Sequence, residues 1–185
     1  MAARCPDYAA LAMPYYPRGD LGSLHDTQSP RQVNRYMSHV VRGLENLHRQ
    51  NIVHNDLKLE NVFIDAQNRA HLGDLGLALE VKDAIRTALA GLVGGTRVYW
   101  SPEKLEAGTR TRIDPFKADI YAIGVMYWAL VSREDPKEHD NYQDKLADNK
   151  VNLSPSQKFL LQRLLDPNPV HRPNAPELVK MIRIK

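Results

Sequence analysis

His54-Asn55-Asp56-Leu57-Lys58-Leu59-Glu60-Asn61 is followed, thirteen residues past Asn61, by Asp74-Leu75-Gly76. Between them Val62-Phe63-Ile64-Asp65 reads as a short strand, Gln67-Asn68 as a turn and Arg69 to Gly73 as a second strand, so the two polar clusters flank a small hairpin. An isolated His-x-Asp or Asp-x-Gly carries little information, because Asp and Gly are ordinary turn residues. The ordered combination is different. A histidine, an aspartate, a lysine, an asparagine, a hairpin and a second aspartate at fixed spacing are hard to assemble by chance.

The rest of the composition sets bounds. At 185 residues, with 43% hydrophobic and 25% charged content, the chain fits one domain with a sizeable core. Its formal charge of +3 is small and spread out, with no Lys/Arg block, so no nucleic-acid partner is expected. Cys5 is the single cysteine, which excludes an internal disulfide and a cysteine-based zinc site and fits a reducing compartment. No charged segment followed by an apolar core opens the chain. The longest apolar run, Ile120 to Val131, is short of the ~20 residues needed to span a bilayer, so no membrane association and a cytoplasmic location are expected.

The two motifs resemble the H-R-D-L-x-x-x-N catalytic loop and the D-F-G triplet of protein kinases, with Asn55 in place of the Arg and Leu75 in place of the Phe. The resemblance implies that Asp56 orients an acceptor hydroxyl, that Lys58 neutralises charge on the moving phosphoryl group, and that Asn61 and Asp74 hold Mg2+ on ATP. His54 is then a structural side chain that keeps the loop in shape. Asn55 replaces an Arg that pairs with a phosphorylated activation-loop residue in many kinases. A neutral amide cannot supply that charge-assisted clamp, so switching by phosphorylation is not expected.

Upstream, Leu11-Ala12-Met13-Pro14-Tyr15-Tyr16-Pro17-Arg18-Gly19-Asp20-Leu21 is similar to the kinase hinge. By that resemblance Met13 is the gatekeeper, the backbone from Pro14 through Tyr15 to Tyr16 faces adenine, Asp20 approaches the ribose or a basic substrate residue, and Phe63 is a further nucleotide contact. The glycine-rich loop, strand lysine and helix glutamate of the family all lie before the hinge, and neither G-x-G-x-x-G nor V-A-I-K occurs in this sequence. The expected architecture is therefore a kinase-like carboxy-terminal lobe without its amino-terminal lobe. It should be mainly α, with a small pair of β-hairpins around the catalytic loop, running from a hinge at about 8–21 to a last helix at about 174–184 within a domain over 1–185.

Downstream, Asp74 to Glu103 is glycine-rich and lacks sustained periodicity, as a mobile activation loop would. Thr87, Thr96 and Tyr99 are candidate phosphate acceptors there. Gly95-Thr96-Arg97-Val98-Tyr99-Trp100-Ser101-Pro102-Glu103 resembles G-T-x-x-Y-x-A-P-E, which implies that the Thr96 hydroxyl bridges Asp56 and Lys58 and that the acceptor is serine or threonine. Asp119-Ile120-Tyr121-Ala122-Ile123-Gly124 resembles the D-x-Y-x-x-G helix; its lone carboxylate should accept hydrogen bonds from the backbone around His54. Leu164 to Pro173 matches the L-L-x-x-D-P-x-x-R-P ending, which pairs Arg172 with Glu103. Ser29-Pro30-Arg31-Gln32 and Ser154-Pro155-Ser156-Gln157 each read as a capped helix start. The first helix should run to about Arg49 with Val33, Met37, Val40, Val41, Leu44, Leu47 and His48 on its apolar face, and the second should turn Phe159, Leu160, Leu164 and Leu165 inward.

Two functions from different classes follow. The first is a serine/threonine kinase acting on a protein substrate, with Asp20 and Glu60 placed to favour a basic peptide and a partner protein covering the nucleotide site. The second is a pseudokinase-like binding module that recognises a protein without transferring phosphate. The combination of H-N-D with D-L-G is also similar to certain kinases that bacterial pathogens deliver into host cells.

Overall fold

The computed structural model describes residues 2–5, 8–82, 86–148 and 150–182. Two antiparallel strands, β1 (Ala2–Cys5) and β2 (Tyr8–Leu11), open the chain. β2 stops two residues before Met13, and its partner β1 carries no alternation that would announce it. Helix α1 (Pro30–Arg49) starts where the sequence places it. The Ser29 side chain accepts from the Gln32 amide at 3.4 Å while the Gln32 side chain accepts from the Ser29 amide at 3.1 Å, so two end-of-helix donors are satisfied reciprocally. Val33, Met37, Val40, Val41 and Leu44 are buried as the 3.6-residue spacing predicts, and Tyr36 and Ser38 join them, whereas Leu47 is only half-buried.

Strand β3 (Ile52–Val53) leads into the catalytic-loop stretch, and the hairpin of β4 (Val62–Ile64) and β5 (Ala70–Leu72) follows with Phe63 opposite His71. Asn68, at φ 63°, turns the hairpin, a conformation that asparagine tolerates. The span expected to be irregular holds two short strands, β6 (Leu79–Glu80) and β7 (Ala88–Leu89). They pair with β3 and with β8 (Arg112–Ile113). Ladders of two residues have no sequence period, and partners more than twenty positions away decide them.

Helix α2 (Pro102–Glu106) closes this span, and α3 (Pro115–Ser132) forms the centre of the lobe. Asp114 caps α3 by accepting from the Phe116 and Lys117 amides, and the helix is buried all round from Ala118 to Leu130. It packs against α1 on one side and α5 (Pro155–Leu164) on the other. At the second contact Gly124 lies so close to α5 that a Cβ there would come within 2.8 Å of Leu165 Cδ2. α5 buries Leu160, Leu161 and Leu164, with Leu165 just beyond its end, but Phe159, expected on that face, is 59% exposed. The core-facing stripe is centred on Leu161 and Leu164, and Phe159 stands about 200° around the helix from Leu161.

Helix α4 (Tyr142–Ala147) lies in the charged connection between α3 and α5. The last helix, α6 (Ala175–Met181), is capped by Asn174 and packs on α1. Residues 183–185, where the expected end near 184 falls, lie outside the described set. No helix among the described residues is long and apolar enough to cross a membrane.

Candidate active site

Asp119 organises the loop that carries Asp56. Its Oδ2 accepts from the His54 amide at 2.8 Å and its Oδ1 from the Asn55 amide at 3.0 Å, while His48 Nε2 lies 2.9 Å from Oδ2. A buried carboxylate is tolerated when its lone pairs are filled in this way. The loop is thereby fixed to the middle of α3. His54 is wholly buried and spans it: Nδ1 accepts from the Asp56 amide at 3.4 Å, which leaves Nε2 to donate to the Gly73 carbonyl at 3.0 Å. Both nitrogens are used in holding backbone, which agrees with the structural reading of this side chain.

Asp56 is 8% exposed and meets three groups. Thr96 donates both its amide and its hydroxyl to Asp56 Oδ1, each at 2.8 Å. Lys58 Nζ sits 3.4 Å from Asp56 Oδ2 and donates to Thr96 Oγ1 at 3.2 Å. The hydroxyl of Thr96 thus joins the aspartate to the lysine across about forty residues, as the G-T motif implies. Burial by itself would raise the Asp56 carboxyl, but the Thr96 hydroxyl, the Lys58 ammonium and the Thr96 amide outweigh it and hold the group below the ordinary carboxylate range. It is therefore an anion at neutral pH.

Asn61 is buried, and its Nδ2 donates to the Asp56 carbonyl at 2.9 Å and to Asp56 Oδ2 at 3.1 Å. Its carboxamide oxygen is the atom left to face a cation. Asp74, in the left-handed region at φ 55°, is exposed and accepts from the Gly76 amide at 3.2 Å. An amide oxygen and an exposed carboxylate are hard oxygen donors of the kind Mg2+ takes when it keeps waters and phosphate in the rest of its shell. The donor set fits that ion, whereas no group of three or more His, Cys, Asp or Glu among the described residues forms a closed metal cage.

The hinge residues run alongside β4, where Leu21 donates to the Val62 carbonyl and Ile64 to the Gly19 carbonyl, each at 2.8 Å. This bridge sets Asp20 opposite Phe63. The Asp20 carboxylate accepts from the Ser23 amide at 2.8 Å, so one of its oxygens is spent on the local turn. Phe63 rests on Gly73, where a Cβ would overlap its ring. Its other partner is unanticipated: the Tyr16 ring stacks on Phe63 with centroids 5.3 Å apart, and His71 stands against Tyr16 at the same distance. Side-chain stacking between residues 47 positions apart leaves no local signature. Met13 and Tyr15 are 54% and 87% exposed, and Leu75 and Leu77 about half, so nothing among the described residues covers this apolar rim.

Two further residues belong to the site, of which only Gly95 carries a signal in the sequence. Lys104, on α2, is buried; its Nζ donates to the Gly94 carbonyl, lies 3.5 Å from Asn55 Oδ1 and stands 4.6 Å from the Trp100 ring centre. Burial pushes its ammonium down to about 8, against the opposing pull of Asp119, Asp56 and Glu103. Gly95, at φ 108°, passes so close to the catalytic loop that any Cβ would overlap the Asn55 carbonyl oxygen. The glycine was visible in the G-T motif; the reason for it was not.

A model of the protein kinase domain matches residues 2–182. Among similar proteins, the inactive serine/threonine-protein kinase PLK5 of Mus musculus is 30% identical over 94% of this chain and 30% of its own length. A probable serine/threonine-protein kinase of Dictyostelium discoideum is 34% identical over 84% of this chain and 34% of its own. The CBL-interacting serine/threonine-protein kinase 15 of Arabidopsis thaliana is 30% identical over 79% and 36%. The chain spans about a third of the length of these relatives. All three are eukaryotic, and they lend no support to a kinase delivered by a bacterial pathogen.

Proposed function

Because the chain belongs to the protein kinase family, we propose that it transfers the γ-phosphoryl group of ATP to serine or threonine hydroxyls of a protein. In this reading the acceptor hydroxyl attacks the γ-phosphorus, a new P–O bond forms, the bond to the β-phosphate oxygen breaks and ADP leaves. The proton of the acceptor passes to the Asp56 carboxylate, which is anionic and held in place for that purpose. Lys58 faces the charge on the transferring group, and Thr96 fixes the separation between the two. Asn61 and Asp74 would hold Mg2+, which neutralises phosphate charge when bound. Tyr16, Phe63 and Asp20 line the side where the nucleoside would lie, and Asp20 with Glu60 would select a basic peptide.

The observation that carries this reading is the set of bonds joining Asp56, Thr96 and Lys58, because a lobe kept only as a scaffold has no need to hold its acceptor base and phosphate cation in register. A second reading, a binding module without phosphotransfer, is favoured by the uncovered rim at Met13, Tyr15 and Leu75 and is in keeping with the inactive status of the PLK5 relative. A partner that covers the rim is common to both.

The deciding experiment is transfer of radiolabelled phosphate from ATP and Mg2+ to a basic generic protein, with Asp56→Ala and Asp74→Ala as controls. Transfer abolished in both variants supports the kinase. Magnesium-dependent ATP binding without transfer, or neither in a folded protein, overturns it in favour of the binding module.

A further inference from the structure

Asn55 stands where the family pattern has an arginine, and it has two bonding partners at opposite ends of the segment between Asp74 and Glu103. Its Nδ2 donates to the Leu77 carbonyl at 2.9 Å, just after the Asp74-Leu75-Gly76 turn. Its Oδ1 faces Lys104 Nζ at 3.5 Å, and the same ammonium donates to the Gly94 carbonyl two residues before Thr96. The chain of contacts therefore runs Leu77, Asn55, Lys104, Gly94. It draws both ends of the segment onto the residue next to Asp56.

The surroundings fit a built contact. Lys104 is only 7% exposed and Asn55 likewise, and the aromatic face of Trp100 takes up part of the ammonium's field. Asn55 adopts φ 70°, a left-handed conformation that asparagine accepts readily, and Gly95, next to Gly94, passes so close to the Asn55 carbonyl oxygen that no Cβ fits between them. The ligands of Lys104 are neutral oxygens and a ring, so the contact does not need a phosphate to form.

We infer that Asn55 and Lys104 form an internal strap that holds the activation segment against the catalytic loop without phosphorylation, and that both are positioning residues for the Asp56, Thr96 and Lys58 set. The inference gives the proposed kinase site its mode of regulation and rests on that reading for its purpose. The strap itself can be tested without phosphotransfer.

The test is hydrogen exchange of the full chain in the absence of nucleotide, comparing peptides covering 76–82 and 94–100. Replacing Lys104 by Met keeps the stem and removes the donor. A bond to a charged donor is lost, so exchange at the Thr96 amide should rise about tenfold or more. The sharper variant is Asn55→Asp. A carboxylate still accepts from Lys104 but cannot donate to the Leu77 carbonyl. Exchange should rise in 76–82 and stay equal or fall in 94–100.

That divergence together with the rise in Lys104→Met supports the strap. Unchanged exchange in Lys104→Met, or equal changes in both peptides in Asn55→Asp, overturns it. Should Lys104→Met fail to fold, Asn55→Asp decides alone, since aspartate is isosteric and also tolerates positive φ. A protein with no phosphotransfer can pass this test, and an active one can fail it.

Discussion

Arg172 lays its two terminal nitrogens on the two carboxylate oxygens of Glu103, at 2.7 and 2.8 Å, across 69 residues of sequence. The remaining donors of the guanidinium go to the carbonyls of Asp166, Lys117 and Pro167. Arg172 is 1% exposed while Glu103 keeps 18% of its side chain open, and together these bonds tie Glu103 to the turn just before α6.

Removing Glu103 leaves the Arg172 charge buried and without its carboxylate. Glu103→Ala should destabilise the fold by about 3 to 5 kcal/mol, and Arg172→Met by a similar amount, because three carbonyls lose their donor as well. Urea unfolding of each variant and of the double variant measures this. A double variant that costs less than the two single costs added together is expected, since each single change already breaks the same pair.

Thr96 carries the second prediction. Thr96→Val removes the hydroxyl bond to Asp56 and the acceptor for Lys58 but retains the amide bond. On the proposed kinase reading, phosphotransfer should fall roughly tenfold to a hundredfold, because Asp56 and Lys58 lose their common tether. The same bond lowers the Asp56 carboxyl, so its loss raises that group and the acid limb of the pH–rate profile should move to higher pH. Asp56 has a folded value below its unfolded one. Its stabilising contribution is full above the unfolded carboxylate range and is lost as pH falls through the folded value, and the valine variant should show a weaker acid dependence of stability. Thr96→Ser should restore both behaviours.

These residues show what could be read in advance. The Asp56 and Thr96 contact, the acceptance of backbone bonds by Asp119, the Arg172 and Glu103 pair and the two capped helices α1 and α5 all depend on residue types at set spacings, and the sequence carries them. The Tyr16 stack on Phe63 and the Lys104 bonds do not. Each depends on the direction in which one side chain points after distant elements have packed, and Lys104 in sequence is an ordinary charged residue on a short helix. Asn55 was legible as a missing charge, but not as a residue with two partners of its own.

Asp119→Asn gives the third prediction. Both carboxylate oxygens accept from backbone amides, at 2.8 and 3.0 Å, so an amide nitrogen in either place sets donor against donor. A cost of about 1 to 3 kcal/mol in thermal or urea unfolding is expected for one orphaned buried donor. The loop should also loosen locally, seen as faster exchange of the His54 and Asn55 amides. Asp119→Glu cannot rescue it, because the longer side chain has no room beside a helix buried on all sides.

Lys104 has a defined pH signature. Its folded value is about 8 against 10.5 for the free side chain, so between these values the unfolded chain binds more protons than the folded one. Stability should therefore rise as pH increases through that window, as the cost of burying the ammonium is relieved, with Asp119, Asp56 and Glu103 as the anions that limit the shift. Denaturant midpoints from about pH 7.5 to 10 test it. The rise should be present in the native sequence and absent in Lys104→Met. The neutral amine still donates to Gly94, so exchange at Thr96 should not increase over the same range once corrected for its intrinsic pH dependence.

Gly124→Ala reverses the usual rule for helices. In an exposed helix interior, alanine is favoured over glycine by about 1 kcal/mol, because it has less backbone entropy to lose. At position 124 the added methyl would stand 2.8 Å from Leu165 Cδ2 and 2.9 Å from Leu164 Cβ, inside the contact distance that real Cβ atoms keep. Leu164 and Leu165 are themselves fully packed, and the Cβ of Leu164 cannot rotate away. α5 must move off α3, at a cost of roughly 1 to 3 kcal/mol for overpacking, which exceeds the gain in propensity. Gly43 on α1 is the control: there the nearest atom is the end of the half-buried Leu72 side chain at 3.3 Å, which can shift by a few tenths of an ångström. Gly43→Ala should be neutral or stabilising and Gly124→Ala destabilising; equal thermal midpoints for the two would show that α3 and α5 are not held as closely as their glycine contact requires.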